Sequence, residues 1–349
     1  MVLRCCVIGL GMGRNHAKAY HEHPDCRLAA VCDIDPKRLK QATGDFACTG
    51  YADWREMLKR EKPDILSVAT PNHLHAEMAI GGFKAGCHVL CEKPMALNAR
   101  QGEAMLRAAK QARRRLMINF SYRFTPAAYA LKVQVDAGVL GKVYAGRSVW
   151  HRRRGIPGFG GWFGQKKLSG GGPLIDLGVH RLDLALWLMG HPQPQWVMAN
   201  TFAPIATRLA KASRKAYDCE DAAFAMIRFQ DGAMLNLEAS WALNTRENEF
   251  METRLYGTDG GLAHFNVSEG NGFFGYTFDG ECFVEKQGVQ YNIRAQAPIP
   301  QVRSAYAHFA ECVRDGTEPI ATGEQGLTVM RLLDAVYASA AKGAPVRLG

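Results

Sequence analysis

A chain of 349 residues, 47% hydrophobic and 22% charged, is a globular protein too long for one ordinary core, so two domains are expected. Its formal charge of +10 would attract nucleic acid or an anionic small ligand. No zinc-finger spacing or RNA-reading signature accompanies that charge, so no nucleic acid partner is expected. No apolar run approaches the roughly 20 residues that span a bilayer, and no membrane partner is expected either. Met1 to Cys6 enters strand-like sequence with no basic leader, which predicts a cytoplasmic protein. The 10 cysteines form no C-x-x-C pair and are read as buried, reduced thiols.

In chain order, strands and helices alternate at first. Residues 5–8, 27–33, 65–70, 88–92 and 116–122 read as strands, and residues 15–23, 36–43, 75–85 and 99–113 as helices. That grammar predicts βαβ units and a doubly wound parallel sheet over residues 1–122, a Rossmann domain. From residue 123 the pattern changes. Asp231-Gly232, Asp279-Gly280 and a loop over Gly257–Gly261 read as turns between neighbouring strands. Residues 123–349 are therefore expected to form an α/β domain with an open, largely antiparallel sheet, finished by helices near Gln301–Arg314 and Gly323–Ala341.

The turn after the first strand carries Gly9, Gly11, Met12 and Gly13. Glycines there let the backbone approach a pyrophosphate held at a helix N-terminus. The spacing G-x-G-x-G is one residue short of the usual G-x-G-x-x-G. Asp33, 20 residues after Gly13, ends the second strand, where an acid bonds a ribose 2′-hydroxyl and repels a 2′-phosphate. NAD is expected as cofactor rather than NADP, although Arg38 could reach a phosphate. Thr70 and Asn72 end the third strand at the edge where such sheets bind ligands. His73 and His75 have H-x-H spacing, but no matching Cys, His or acid set accompanies them. They read as a polar turn, with His75 beside the cofactor, and no metal is expected. Glu92, Lys93 and Pro94 close the next strand at the same edge. Glu92 is expected near the cofactor ribose, and the Lys93–Pro94 bond can be cis.

"SGGGPLIDLGVHRLDLALWLMG", residues 169–190, places Asp176 and His180 four apart on a helix face, with Asp183 nearly aligned. One reading is a capped core helix. The other is an acid–histidine pair, in which His180 takes a proton and Asp176 orients it or grips the substrate. Tyr122, Arg123 and the loop residues His151, Arg152 and Arg154 are substrate candidates, able to meet sugar hydroxyls or an anion. Trp162 could stack on a sugar or on the nicotinamide ribose. A plain basic surface loop is the alternative for residues 150–167.

Along essentially its whole length the chain resembles the Gfo/Idh/MocA oxidoreductases. The motifs are the glycine turn with His16-Ala17, Asp33, Ala69–Asn72 with His75, "AGCHVLCEKP", and "GGGPLIDLGVH", which is similar to the family's G-G-G-x-x-x-D-x-x-x-H. The glycine turn is shortened, and Cys87 stands where Lys is frequent. The resemblance implies Lys93, Asp176 and His180 as the catalytic set, acting on a sugar or cyclitol hydroxyl. It also implies homodimers or homotetramers paired through the C-terminal sheet. Two rival readings are an NAD-dependent glycoside-cleaving enzyme using transient C3 oxidation, and a non-catalytic NAD-bound sugar sensor.

Overall fold

The computed structural model describes residues 2–268, 276–294 and 304–348. The chain divides into two compact units, Met1–Phe120 with Arg303–Met330, and Ser121–Val302 with Arg331–Gly349.

The first unit runs β1 (Leu3–Ile8), α1 (Gly13–Glu22), β2 (Cys26–Cys32), α2 (Pro36–Phe46), β3 (Thr49–Tyr51), α3 (Trp54–Glu61), β4 (Ile65–Val68), α4 (His75–Lys84), β5 (His88–Cys91), α5 (Ala99–Ala112) and β6 (Leu116–Ile118). Its six strands are parallel in the order β3-β2-β1-β4-β5-β6. The inner strands are buried runs such as Val7-Ile8, Leu66 and Val89-Leu90, as expected of a sheet covered on both faces. Short polar residues start three of these helices. Asp35 caps α2 ahead of Pro36, Asp53 caps α3, and Asn98 caps α5. The strand expected over 116–122 stops at Ile118, and residues 121–124 form a 3₁₀ turn in the second unit.

The second unit begins with α6 (Pro126–Asp136), β7 (Val143–Arg152), α7 (Lys166–Ser169) and α8 (Val179–Leu188). It continues through β8 (Pro194–Phe202), α9 (Pro204–Ser213), β9 (Ala222–Phe229), β10 (Met234–Ser240), β11 (Glu249–Gly257), β12 (Gly260–Asn266), β13 (Phe278–Lys286) and β14 (Val289–Arg294). After α10 (Ala305–Asp315) come α11 (Gly323–Lys342) and β15 (Val346–Arg347). The nine strands described here pair as β14-β13-β12-β11-β7-β10-β9-β8-β15, antiparallel except for β7 against β10. One core of this unit packs Leu131 of α6 and Leu184, Trp187 and Leu188 of α8 on Leu255, Leu262 and Cys282 of the sheet.

Two expectations need correction. Asp231-Gly232 does join β9 to β10, but Asp279-Gly280 lies inside β13, opposite Phe265 and His264. A Cβ on Gly280 would meet Leu131 Cγ at 2.9 Å, so this glycine admits α6 onto the sheet rather than turning the chain. The reversal into β14 falls at Gln287-Gly288, both with positive φ. The penultimate helix is α10, and residues 301–303 of the expected helix lie outside the described residues. α10 packs within the first unit, where the Tyr306 ring lies 4.4 Å from that of His16.

Candidate active site

In the first unit the expected cofactor residues gather at the C-terminal ends of the parallel strands. Gly9 has φ +87°, and a Cβ there would meet the Ala69 carbonyl oxygen at 2.5 Å, so only glycine passes between β1 and the end of β4. A Cβ on Gly13 would sit 3.0 Å from both Val7 and Ala69, which fixes how closely α1 approaches the sheet. Met12, at the N-cap, is 46% exposed and supplies no side-chain hydrogen bond, leaving the first backbone N–H groups of α1 uncapped by a side chain. This cradle fits a dinucleotide pyrophosphate despite the shortened glycine spacing.

Asp33 lies beside the cradle. Its Oδ2 accepts from Leu10 N at 2.6 Å and its Oδ1 from Asp35 N at 2.8 Å, so its carboxylate is fixed against the turn. Ile34 follows, 91% exposed, an apolar surface suited to an adenine ring. Arg38 is exposed and 3.6 Å from Asp35, and its Nη1 is 3.8 Å from where a Cβ on Gly11 would stand. The guanidinium therefore lies by the mouth of the glycine turn.

Thr70 and Asn72 follow β4 as expected, but His75 does not face a ligand. It is fully buried, with Nδ1 2.8 Å from the Pro94 carbonyl and Nε2 2.8 Å from the Thr70 carbonyl. Burial lowers its pKa. His75 thus ties the turn after β4 to the Lys93–Pro94 segment, whose peptide bond is cis. Glu92 accepts from Asn119 Nδ2 at 2.7 Å, meets His16 Nε2 at 2.9 Å, and takes the Lys93 N–H at 3.2 Å. Burial alone would raise its pKa, but His16, Asn119 and the Lys93 charge outweigh it and hold the carboxyl below its ordinary value. An anionic Glu92 beside Lys93 is the electrostatic centre of this edge.

In the second unit, Asp176 lies on a π-helical turn, Leu174–Gly178, that runs directly into α8. Two of the three glycines before it have a steric reason. A Cβ on Gly171 would collide with the Tyr337 hydroxyl, and one on Gly172 with the Glu220 backbone. Glu220, buried, accepts from Tyr337 Oη at 2.8 Å and from Leu174 N at 3.2 Å, which anchors the turn. Asp176 Oδ2 accepts from the buried Trp241 Nε1 at 3.1 Å. The His180 ring lies 5.0 Å from that of Tyr122 and 5.8 Å from that of Trp150, so Tyr122 forms part of the wall around it. On the same β7 face Arg152 donates to Glu249 at 2.8 Å and reaches Tyr276 Oη at 3.3 Å, and Asp176 acts on its charge.

Three substrate candidates are placed differently from expectation. Arg123 is fully buried and bidentate on Asp183, at 2.6 and 3.0 Å, over the Trp187 ring. It cannot reach a ligand from there, and Asp183 is its counter-ion rather than part of the Asp176 face. His151 follows Trp150 in β7, so it points to the other face of the sheet, where it lies 3.2 Å from Glu238. Arg154 is exposed, but its guanidinium braces the adjacent loop through Leu243 O at 3.2 Å and Asn244 Oδ1 at 2.8 Å. Trp162 opens a 3₁₀ turn and stacks on Phe163 at 3.9 Å. Asn119, Glu220, Trp241, Glu249, Tyr276 and Tyr337 were not expected. Their partners are distant in the chain, and only those partners reveal their roles.

Residues 3–120 match the oxidoreductase-family model with an NAD-binding Rossmann fold, and residues 132–348 match that family's C-terminal alpha/beta domain, the two Gfo/Idh/MocA models. The D-glucoside 3-dehydrogenase of Escherichia coli (strain K12) is 35% identical over 360 aligned positions, covering 99% of this chain and 97% of its own. The scyllo-inositol 2-dehydrogenase (NAD(+)) of Bacillus subtilis (strain 168) is 28% identical, covering 99% and 96%. A levoglucosan dehydrogenase solved in complex with NADH superposes with a TM-score of 0.83 at 25% identity, covering 99% of each chain.

Proposed function

Because the chain belongs to the Gfo/Idh/MocA oxidoreductases in both halves of its sequence, we propose that it transfers a hydride between NAD and a secondary hydroxyl of a sugar, sugar derivative or cyclitol. The observation that carries this reading is the retention of Lys93, Asp176 and His180 on their motifs in a chain similar to sugar and inositol dehydrogenases over nearly its whole length. A glucoside with a free C3 hydroxyl is the first substrate to try, given the relative at 35% identity.

Bound NAD supplies the hydride acceptor. The glycine turn and the N-terminus of α1 would hold its pyrophosphate, and Asp33 would hold the adenosine ribose and disfavour a 2′-phosphate. His180 accepts the proton of the reacting hydroxyl. Lys93 donates a hydrogen bond to that oxygen as negative charge builds on it, the kind of preorganised electrostatic help that is usually the largest catalytic contribution. Asp176, held by Trp241, grips a neighbouring hydroxyl or the His180 ring. Glu92, kept anionic by His16 and Asn119, sits beside Lys93 and is the group available to a cofactor ribose hydroxyl.

The test is purified protein with NAD and a panel of methyl glucosides, levoglucosan and inositols, read by NADH absorbance together with product analysis. NADH formation with a keto sugar or keto cyclitol is expected. Net glycoside hydrolysis without NADH would instead support a cleaving enzyme with transient C3 oxidation, and NAD binding without turnover would support a sensor.

A second copy of the chain is the proposed occupant of the sheet face that carries His151. Met198, Phe202 and Tyr256 are exposed on it, beside Phe224, Met226 and the pair Arg147–Glu238. Light scattering on the purified protein should give a dimer or tetramer, and a monomer would overturn this assignment. Ten free cysteines without a disulfide suit a reducing compartment, and the cytoplasm is the proposed location.

A further inference from the structure

We propose that Arg181 is a positioning residue for His180, a buried guanidinium that holds the ring wall behind the imidazole and keeps the imidazole neutral. The proposal rests on the reading of His180 as the base.

Arg181 is fully buried, yet it forms no ion pair among the described residues. The other deeply buried arginines of this unit behave otherwise: Arg123 meets Asp183, and Arg152 meets Glu249. Arg181 is enclosed by ring faces instead. Its guanidinium carbon lies 4.9 Å from the Tyr122 centroid, 5.6 Å from Trp150 and 5.6 Å from Phe278. Nη1 donates toward His264 Nδ1 at 3.3 Å, while Nε and Nη2 have no hydrogen-bond partner among the described residues. A buried cation without a carboxylate is costly, and ring quadrupoles offset only part of that cost.

The rings concerned are those behind His180. Tyr122 and Trp150 each contact both side chains, the imidazole at 5.0 and 5.8 Å and the guanidinium at 4.9 and 5.6 Å. Removing Arg181 would therefore loosen the wall and remove a positive charge together. Other charged and titratable groups lie around this wall. Asp176 lies on the preceding turn, Arg152 on β7 is paired with Glu249 on β11, and Tyr276 also donates to Glu249. Tyr122, whose pKa is raised to about 12 by burial despite Arg181, is neutral at physiological pH. Tyr122, then Glu249 and Glu252 of β11, support the Arg181 charge against its burial. His264 on β12 is the direct witness: burial, then the Arg181 charge, hold it well below the ordinary histidine range. The same charge acts on His180 in the same sense. It disfavours the imidazolium and so keeps the base able to accept a proton at neutral pH.

The test compares Arg181→Met and Arg181→Lys with the wild type in two ways. The first is an NMR titration of isotope-labelled histidine in the substrate-free protein, with His180→Asn identifying the signal. The second is the pH profile of kcat/KM. Loss of the charge should move the His180 titration to higher pH. Activity at the acid end should then fall relative to the alkaline end by about tenfold, the ratio of one pK unit, and Arg181→Lys should restore the wild-type profile. An unchanged or downward-moving titration in folded Arg181→Met would overturn the proposal. If that variant does not fold, Arg181→Gln against Arg181→Lys gives the same neutral-versus-charged comparison, and coincident titrations would overturn it. The titration requires no turnover, so it stands apart from the catalytic role of His180, which is tested by replacing His180 itself.

Discussion

Replacing Lys93 or His180 by alanine is expected to lower kcat by at least about 10²-fold while NAD affinity stays within a few-fold. In the proposed function the two side chains would serve different parts of one event. In the proposed reaction His180 would remove a proton that otherwise has only water to go to, and a positioned base typically contributes roughly 10²–10⁴-fold. Lys93 would meet charge that exists only as the oxygen loses that proton, so its loss should appear in kcat rather than in cofactor binding. The cofactor groups named above, the glycine turn and Asp33, are untouched by either change. Lys93→Ala also leaves anionic Glu92 without the neighbouring ammonium, which should add to the loss. Single-substrate kinetics and NAD titration of both variants decide the matter. Turnover near the wild-type value in either variant, on the substrate found by the panel, would remove that residue from the catalytic set.

The second large effect is on stability. Arg123→Met or Asp183→Asn should destabilise the second unit by about 3–5 kcal/mol, because each leaves the other charge, or its hydrogen-bonding groups, buried without its partner. The pair is bidentate at 2.6 and 3.0 Å, with side chains 0% and 1% exposed, so solvent can neither screen it nor replace it. The double variant Arg123→Met with Asp183→Leu should recover most of the loss, since well-packed apolar replacements of buried ion pairs are often neutral. Urea unfolding of the wild type, Arg123→Met, Asp183→Leu and their double variant, analysed as a double-mutant cycle, measures this. Single variants that unfold within about 1 kcal/mol of the wild type would mean that the pair is not the structural element described here.

Much of the candidate site was legible because its chemistry lies in short runs at strand ends. Gly9 to Gly13, Asp33, Thr70 and Glu92-Lys93 each follow a parallel strand, and a parallel sheet brings all such ends to one edge. His75 was expected beside the cofactor, and spacing gives that neighbourhood but not the two carbonyls between which its ring is held. His151 and Arg152 show the limit most plainly. They are adjacent, equally basic candidates, and the alternation of a strand sends one to the Glu238 face and the other to the Trp150 face. Strand register across β7, β10 and β11 sets which face is which, and register is a property of pairing between distant segments.

By itself, then, the sequence determined the parallel half of the fold, the mostly antiparallel character of the rest, and the glycine and acid pattern that suits NAD, because local periodicity and contiguous motifs encode them. Tertiary structure alone decided that residues 303–330 join the first unit, that Gly280 admits a helix rather than turning the chain, that Arg123 belongs to Asp183, that Trp241 holds Asp176, and that Arg181 lies among rings behind His180. In each of these cases most of the partners are tens of residues away in the chain. A side chain's role there depends on what packing brings against it, and no spacing along the sequence encodes that.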